Sequence, residues 1–171
     1  MPIPDFEAVY DDHVDQVYGF FSYRLRGAAD VEDLTQQTFE RALRAWGRYD
    51  PERASVATWL LVIARNLLVD HLRSSRRTRE RPLDDLLAND AALTAAPDRH
   101  DLGLPPDLER ALAELSERER ELIALRFGGD LSCPEIAALT GLTLANVQQI
   151  LSRSLRRMRS SLQRRRVHSA V

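Results

Sequence analysis

Apolar positions along this chain recur at helical spacing, and no period-two β-branched run or Asn-Gly turn predicts a strand. Residues 5–26 read as a helix broken near Gly27. Residues 30–48 read as a second, stopped by Gly47 and Asp50-Pro51. After a loop at Tyr49–Ser55, a third runs from about Val56 to Arg77. The period then fails. Residues 78–106, with prolines, Asp and Ala, predict a linker with a short helical turn at Leu83–Leu87. Helical spacing resumes at Asp107 and pauses near Leu115. Ser116-x-x-Glu119 and Ser132-x-x-Glu135 are capping boxes that open the next two helices. Gly128-Gly129 ends the first of these and Gly141 the second, and Thr143 can cap a last helix reaching about Gln163. The expected architecture is all-α: two small helical domains, residues 1–77 and 107–171, joined by a flexible linker at 78–106. The second reads as a helix-turn-helix domain.

Three of these helices carry a second patterned face. On a helical wheel, Val31, Leu34, Thr38, Phe39, Ala42, Ala45 and Trp46 share one side of the second helix. Asp33, Gln36, Gln37, Glu40 and Arg44 share the other, with Leu43 at its edge. That polar side is either solvated or a docking surface for another protein. On the third helix Trp59, Asn66, Arg73 and Arg77 align, with Val62 and Val69 beside them and Arg65 and Arg76 flanking. A ring, an amide and guanidiniums on one stripe suit a nucleic-acid strand. The same stripe is equally compatible with a core tryptophan and a basic C-terminal turn favoured by the helix dipole. On the last helix Val147, Leu151, Leu155, Met158 and Leu162 predict the packed stripe, opposite Asn146, Gln149, Ser152, Arg153 and Arg156. Ala137, Gly141 and Val147 stand at helix-turn-helix offsets, which would present the start of the last helix to a major groove. The competing reading is a three-helix bundle with a basic end.

Charge sharpens this picture. The net charge of −2 conceals a split: 10 Arg against 12 acids in residues 1–77, 3 against 6 in 78–106, and 11 against 8 in 107–171. Residues 151–166 hold seven Arg and no acid, and every basic side chain in the protein is Arg, whose planar fork fits phosphates and guanine edges. The longest apolar run, Trp59–Ala64, is too short to span a bilayer, and the first residues lack the pattern of a signal peptide. A single cysteine, Cys133, excludes an internal disulfide, and the four histidines have no ligand spacing. A cytoplasmic protein without metal, cofactor or catalytic residue is expected, since no nucleophile–base pair or phosphate loop appears.

Taken together, Asp33-Leu-Thr-Gln-Gln-Thr-Phe, Ala57-Thr-Trp-Leu, Ile63-Ala-Arg-Asn, Leu115-Ser-Glu-Arg-Glu-Arg-Glu and Leu131-Ser-Cys-Pro-Glu-Ile-Ala-Ala-Leu-Thr-Gly resemble the extracytoplasmic-function (ECF) sigma factors of bacterial RNA polymerase. The resemblance covers about residues 6–77 and 107–162, in the family's order. It implies a transcription initiation factor rather than an enzyme. Its partners would be core polymerase, at the clamp helices of the largest subunit and at the flap, promoter DNA, and an anti-sigma factor. On this resemblance Asp33, Gln36, Gln37, Glu40 and Leu43 dock on the clamp helices. The Tyr49–Ser55 loop with Trp59, Asn66, Arg73, Arg76 and Arg77 opens and holds the −10 element, capturing a flipped base. Thr143, Asn146, Gln148, Gln149, Ser152, Arg153 and Arg156 face the −35 element, with Arg156 and Arg157 on phosphates. The chain departs from the family's usual pattern at Gln37, Gln148, Gln149, Ile150 and Cys133, where a glutamate, a basic residue, a serine, an arginine and an aromatic are common. A stand-alone helix-turn-helix regulator would explain residues 107–162 but leave the faces of the second and third helices idle.

Overall fold

A computed structural model describes residues 5–79 and 104–168, with side chains over 5–77 and 104–164. The described residues form seven α-helices: α1 (Phe6–Ser22), α2 (Ala28–Ala45), α3 (Val56–Arg79), α4 (Pro106–Ala113), α5 (Glu117–Ile123), α6 (Cys133–Thr140) and α7 (Leu144–His168). Two short segments complete them, a 3-10 turn at Trp46–Arg48 after α2 and a π-helical turn at Ala124–Gly128 after α5. The short turn expected at Leu83–Leu87 lies outside the described residues.

Helices α1, α2 and α3 pack around Val17, Phe20, Phe21, Val31, Leu34, Leu60, Leu61 and Ala64, all buried. The apolar side of α2 is the one the sequence pattern selects, Thr38 included, and Thr35 joins it. Each threonine hydroxyl donates to the carbonyl four residues back, at 2.7 Å, so neither brings an unpaired polar group inside.

The second block begins at Pro105, and Pro106 opens α4 where a missing N–H costs nothing. Both capping boxes form. Ser116 accepts from the Glu119 amide while the Glu119 carboxylate accepts from the Ser116 amide, and Ser132 and Glu135 repeat the exchange. Helix α5 does not end at Gly128 by simple fraying; it widens into the π-helical turn, closed by Arg126 donating to the Leu131 carbonyl at 3.1 Å. Gly141 caps α6 in the left-handed conformation, φ 72°, which an L side chain resists. Thr143 then accepts from the Asn146 amide at 3.2 Å and starts α7.

The packed stripe of α7 differs from the sequence expectation. Val147, Leu151, Ser154, Met158 and Ser161 are buried, whereas Leu155 is 42% exposed. Ser154 donates to the Ile150 carbonyl and Ser161 to the Glu114 carboxylate, so both small side chains satisfy their hydroxyls while letting α4 and α5 approach.

The two blocks also pack on each other. The π-helical turn lies against α1, where Gly19 and Gly128 meet backbone to backbone, and Gly129 backs onto Leu61. Arg24 and Arg65 of the first block pair with Glu117 and Glu121 of the second, at 2.8 and 2.6 Å.

Candidate polymerase and promoter interfaces

The polar side of α2 is exposed at Asp33, Gln36, Glu40 and Leu43, with Gln37 half-buried. Its members pair along the helix: Gln37 donates to Asp33 at 2.7 Å and Gln36 to Glu40 at 3.0 Å. These one-turn pairs hold the amides in fixed rotamers, yet such surface bonds are weak enough to exchange for partner contacts. Leu43, 57% exposed, is the most exposed large apolar side chain described. Beside it a groove of about 540 Å³ runs between α1 and α2, lined by Phe6, Tyr10, Val14 and Tyr18 of α1 and by Gln36, Phe39, Glu40 and Leu43 of α2. The α1 residues escaped the sequence reading, although their spacing of four was a legible second stripe. A polar helix face next to an apolar groove can seat another helix.

On α3, Asn66, Val62, Val69, Arg73, Arg76 and Arg77 are all exposed, so the structure keeps this stripe on one outer surface. Asn66 has no side-chain partner among the described residues, which leaves its amide free to read a base edge. Two members of the expected stripe are placed otherwise. Arg65 turns to Glu121 and is spent on the contact between blocks. Trp59 is half-buried in an aromatic cluster, 5.7 Å from the Trp46 ring and 5.2 Å from the Tyr49 ring, which stack on each other at 4.9 Å. Tyr49 donates its hydroxyl to the Ala54 carbonyl at 2.9 Å, so the cluster pins the 49–55 loop against the start of α3. Burial holds the Tyr49 phenol above its ordinary pKa, with the Asp50 charge adding to the effect.

Helix α7 exposes Thr143, Asn146, Gln148, Gln149, Ser152, Arg153 and Arg156 together. Ile150 packs on the core instead of facing outward, which accounts for an apolar residue there. Arg157 corrects the sequence reading. It grips both Glu119 carboxylate oxygens at 2.9 and 2.8 Å and the Glu114 carbonyl at 2.7 Å, fastening α7 to α5 and to the end of α4. A fork so engaged is not available to a phosphate. The Ser116 amide, the Ser116 hydroxyl and Arg157 hold the Glu119 carboxyl below its ordinary pKa against a smaller opposing effect of burial.

The regions that carry these faces coincide with two known families of sequence. Residues 9–78 match the family model described as Sigma-70 region 2, and residues 111–160 match Sigma-70, region 4. The chain is 33% identical over 161 residues to the ECF RNA polymerase sigma factor RpoE of Cereibacter sphaeroides, covering 92% of this chain and 86% of that protein. The chain belongs to the ECF sigma factors. Over 152 residues it is also 34% identical to the ECF sigma factor BldN of Streptomyces coelicolor, covering 88% of this chain but 58% of that longer protein. Among solved structures, the sigma factor RpoE of Bartonella quintana, in complex with the anti-sigma factor NepR, shares the fold over 93% of this chain and 97% of its own, with a TM-score of 0.71 at 21% identity. CnrH, solved with the cytosolic domain of CnrY, matches over 92% of this chain and 87% of its own, with a TM-score of 0.63 at 26% identity.

An ECF sigma factor is not a catalyst; it directs RNA polymerase to promoters and starts transcription. Among the described residues no helix is long and apolar enough to cross a membrane, and no group of three His, Cys, Asp or Glu side chains could hold a metal ion.

Proposed function

We propose that the sigma factor divides promoter recognition between its two blocks. Residues 1–77 bind core polymerase and open the −10 element; residues 107–171 read the −35 element; residues 78–106 connect them. Asp33, Gln36, Gln37, Glu40 and Leu43 form the polymerase contact on the clamp helices, and the groove beside Leu43 extends it onto α1. Asn66 captures a base of the opened strand. Arg73, Arg76 and Arg77 hold flanking phosphates, and Trp59 acts by holding the 49–55 loop rather than as a free stacking platform. On α7, Gln148, Gln149, Ser152 and Arg153 read base edges; Thr143 and Asn146 set the helix start, and Arg156 meets a phosphate. Glutamine pairs with adenine edges through both its amide atoms, so the Gln148-Gln149 pair favours adenine in the −35 element.

The observation that carries this reading is the simultaneous exposure of Asn66 with three arginines on α3 and of six polar residues with Thr143 on α7. Among the solved neighbours, RpoE was captured with the anti-sigma factor NepR and CnrH with the cytosolic domain of CnrY. By that analogy an anti-sigma factor is a further partner, acting with this protein in the cytoplasm. Photo-crosslinkers placed at Asn66 and at Gln149 in the polymerase complex test the division. The Asn66 probe should label the opened strand at −10 and the Gln149 probe the duplex at −35. Crosslinking of both probes to one element would refute it.

A further inference from the structure

The loop at 49–55 carries one cation that the fold does not use. Arg53 is exposed and has no side-chain partner among the described residues, although Asp50 and Glu52 are its neighbours in sequence. Its backbone, by contrast, is held on both sides. Before it, the Glu52 amide donates to the Asp50 carboxylate at 3.0 Å and the Arg53 amide to the Asp50 carbonyl at 3.2 Å, closing a turn. After it, the Tyr49 hydroxyl donates to the Ala54 carbonyl at 2.9 Å, and Ser55 accepts from the Thr58 amide at 3.2 Å as α3 begins. Tyr49 is only 7% exposed, so its hydroxyl would be costly there without that bond. The ring is fixed as well. It stacks on Trp46 at an angle of 2°, lies 5.2 Å from Trp59, and the Phe6 ring backs Trp46 at 5.4 Å.

Asn66 stands about 15 Å along α3 from its first residue, Val56, and Arg73 follows about 10 Å further on, with Arg76 and Arg77 beyond it. All three of those arginines therefore lie on one side of Asn66. A base turned out of its stack needs the backbone held on both sides, because phosphate contacts set position while the base contact has to offset the unstacking. Arg53 stands at the opposite end, on the loop that leads into Val56.

We propose that Arg53 holds a phosphate of the opened strand on the side of the captured base away from Arg73, and that Tyr49 is the positioning residue that keeps it there, through its hydroxyl bond to the Ala54 carbonyl. The inference rests on the −10 reading of Asn66 and deepens it by giving the strand a second fixed point. Tyr49 itself is buried and touches no DNA. Loss of its hydroxyl leaves every charge and every ring in place but frees the Ala54 carbonyl, so the loop and Arg53 must then be ordered anew at each capture.

The test compares the full-length wild type with Tyr49→Phe, Arg53→Ala and the double variant, with Asn66→Ala as the reference for the −10 reading. In the free protein, limited trypsin digestion followed by mass spectrometry reads cleavage between Arg53 and Ala54. It should be several-fold faster in Tyr49→Phe. Trp46 and Trp59 are the only two tryptophans, so an unchanged emission spectrum shows that the ring cluster survives the substitution. In the polymerase complex, on promoter DNA with a single-stranded −10 element, Arg53→Ala should weaken binding several-fold and lower the salt slope by roughly 0.7. On duplex promoter DNA, Tyr49→Phe should slow opening several-fold, read by permanganate, yet add nothing in the Arg53→Ala background. A merely structural lesion would add its effect there. Cleavage at the wild-type rate in Tyr49→Phe, or additive effects of the two substitutions, would overturn the role of Tyr49. A wild-type salt slope for Arg53→Ala would overturn the phosphate contact while an effect of Asn66→Ala leaves the −10 reading standing. Wild-type opening by Asn66→Ala would overturn that reading and this inference with it.

Discussion

In the proposed reading specificity turns on Asn66 and Arg153, because each projects an unengaged polar group from a helix fixed by buried neighbours. Asn66 sits one position before the buried Leu67 and Leu68, so its backbone is rigid while its amide is exposed. Asn66→Ala should slow promoter opening and alter base preference within the −10 element, read by permanganate reactivity of the melted strand, with the melting temperature nearly unchanged. On α7 the expected effects separate by position. Arg153→Ala should cost about 1–3 kcal/mol at one or two −35 positions and relax preference there. Arg156→Ala should weaken all sequences alike and lower the salt slope by roughly one. Competition binding of the polymerase complex to −35 variants at several salt concentrations distinguishes the two. Arg157→Ala, by contrast, should lower stability, because it removes the bonds that tie α7 to Glu119 and to the Glu114 carbonyl.

At the scale of the element, what was legible in sequence was what is local. Both capping boxes, the Gly141 cap and the Thr143 start form as their spacing predicts, since each needs only residues within a turn of itself. The misplaced residues depend on neighbours that other elements supply. Leu155 outranks Ser154 in hydropathy, but the approach of α4 and α5 selects the smaller side chain, whose hydroxyl finds the Ile150 carbonyl. Arg65, Arg157 and Trp59 looked available for nucleic acid until Glu121, Glu119 and Tyr49 arrived beside them. Two expectations test the elements. Gly141→Ala forces an L residue into the left-handed region and should destabilise the second block by about 1–2 kcal/mol in denaturant titration. Bonds from Ser132 and Ser116 hold the Glu135 and Glu119 carboxyls below their ordinary pKa in the folded protein. Their contribution to stability is therefore present above the unfolded value, about 4.3, and lost as pH falls through the folded value. Melting temperature should drop on acidification through this window, and less steeply in Glu119→Gln with Glu135→Gln.

For the whole molecule, the proposed reading has the α2 face couple the protein to polymerase and the α3 and α7 faces couple polymerase to two stretches of DNA. Gln36→Ala with Glu40→Arg should weaken core-polymerase binding at least several-fold, measured by surface-immobilised polymerase, without loss of helicity, since both positions are exposed. In the proposed reading these faces serve one function on one promoter. Run-off transcription by core polymerase on a library randomised at −10 and −35 tests that directly. With the protein present, a restricted set of sequences should be transcribed. Arg153→Ala should broaden the set only at −35, and Asn66→Ala should change it only at −10. Transcription that stays at the level of core polymerase alone, or a selected set that both substitutions leave unaltered, would contradict it.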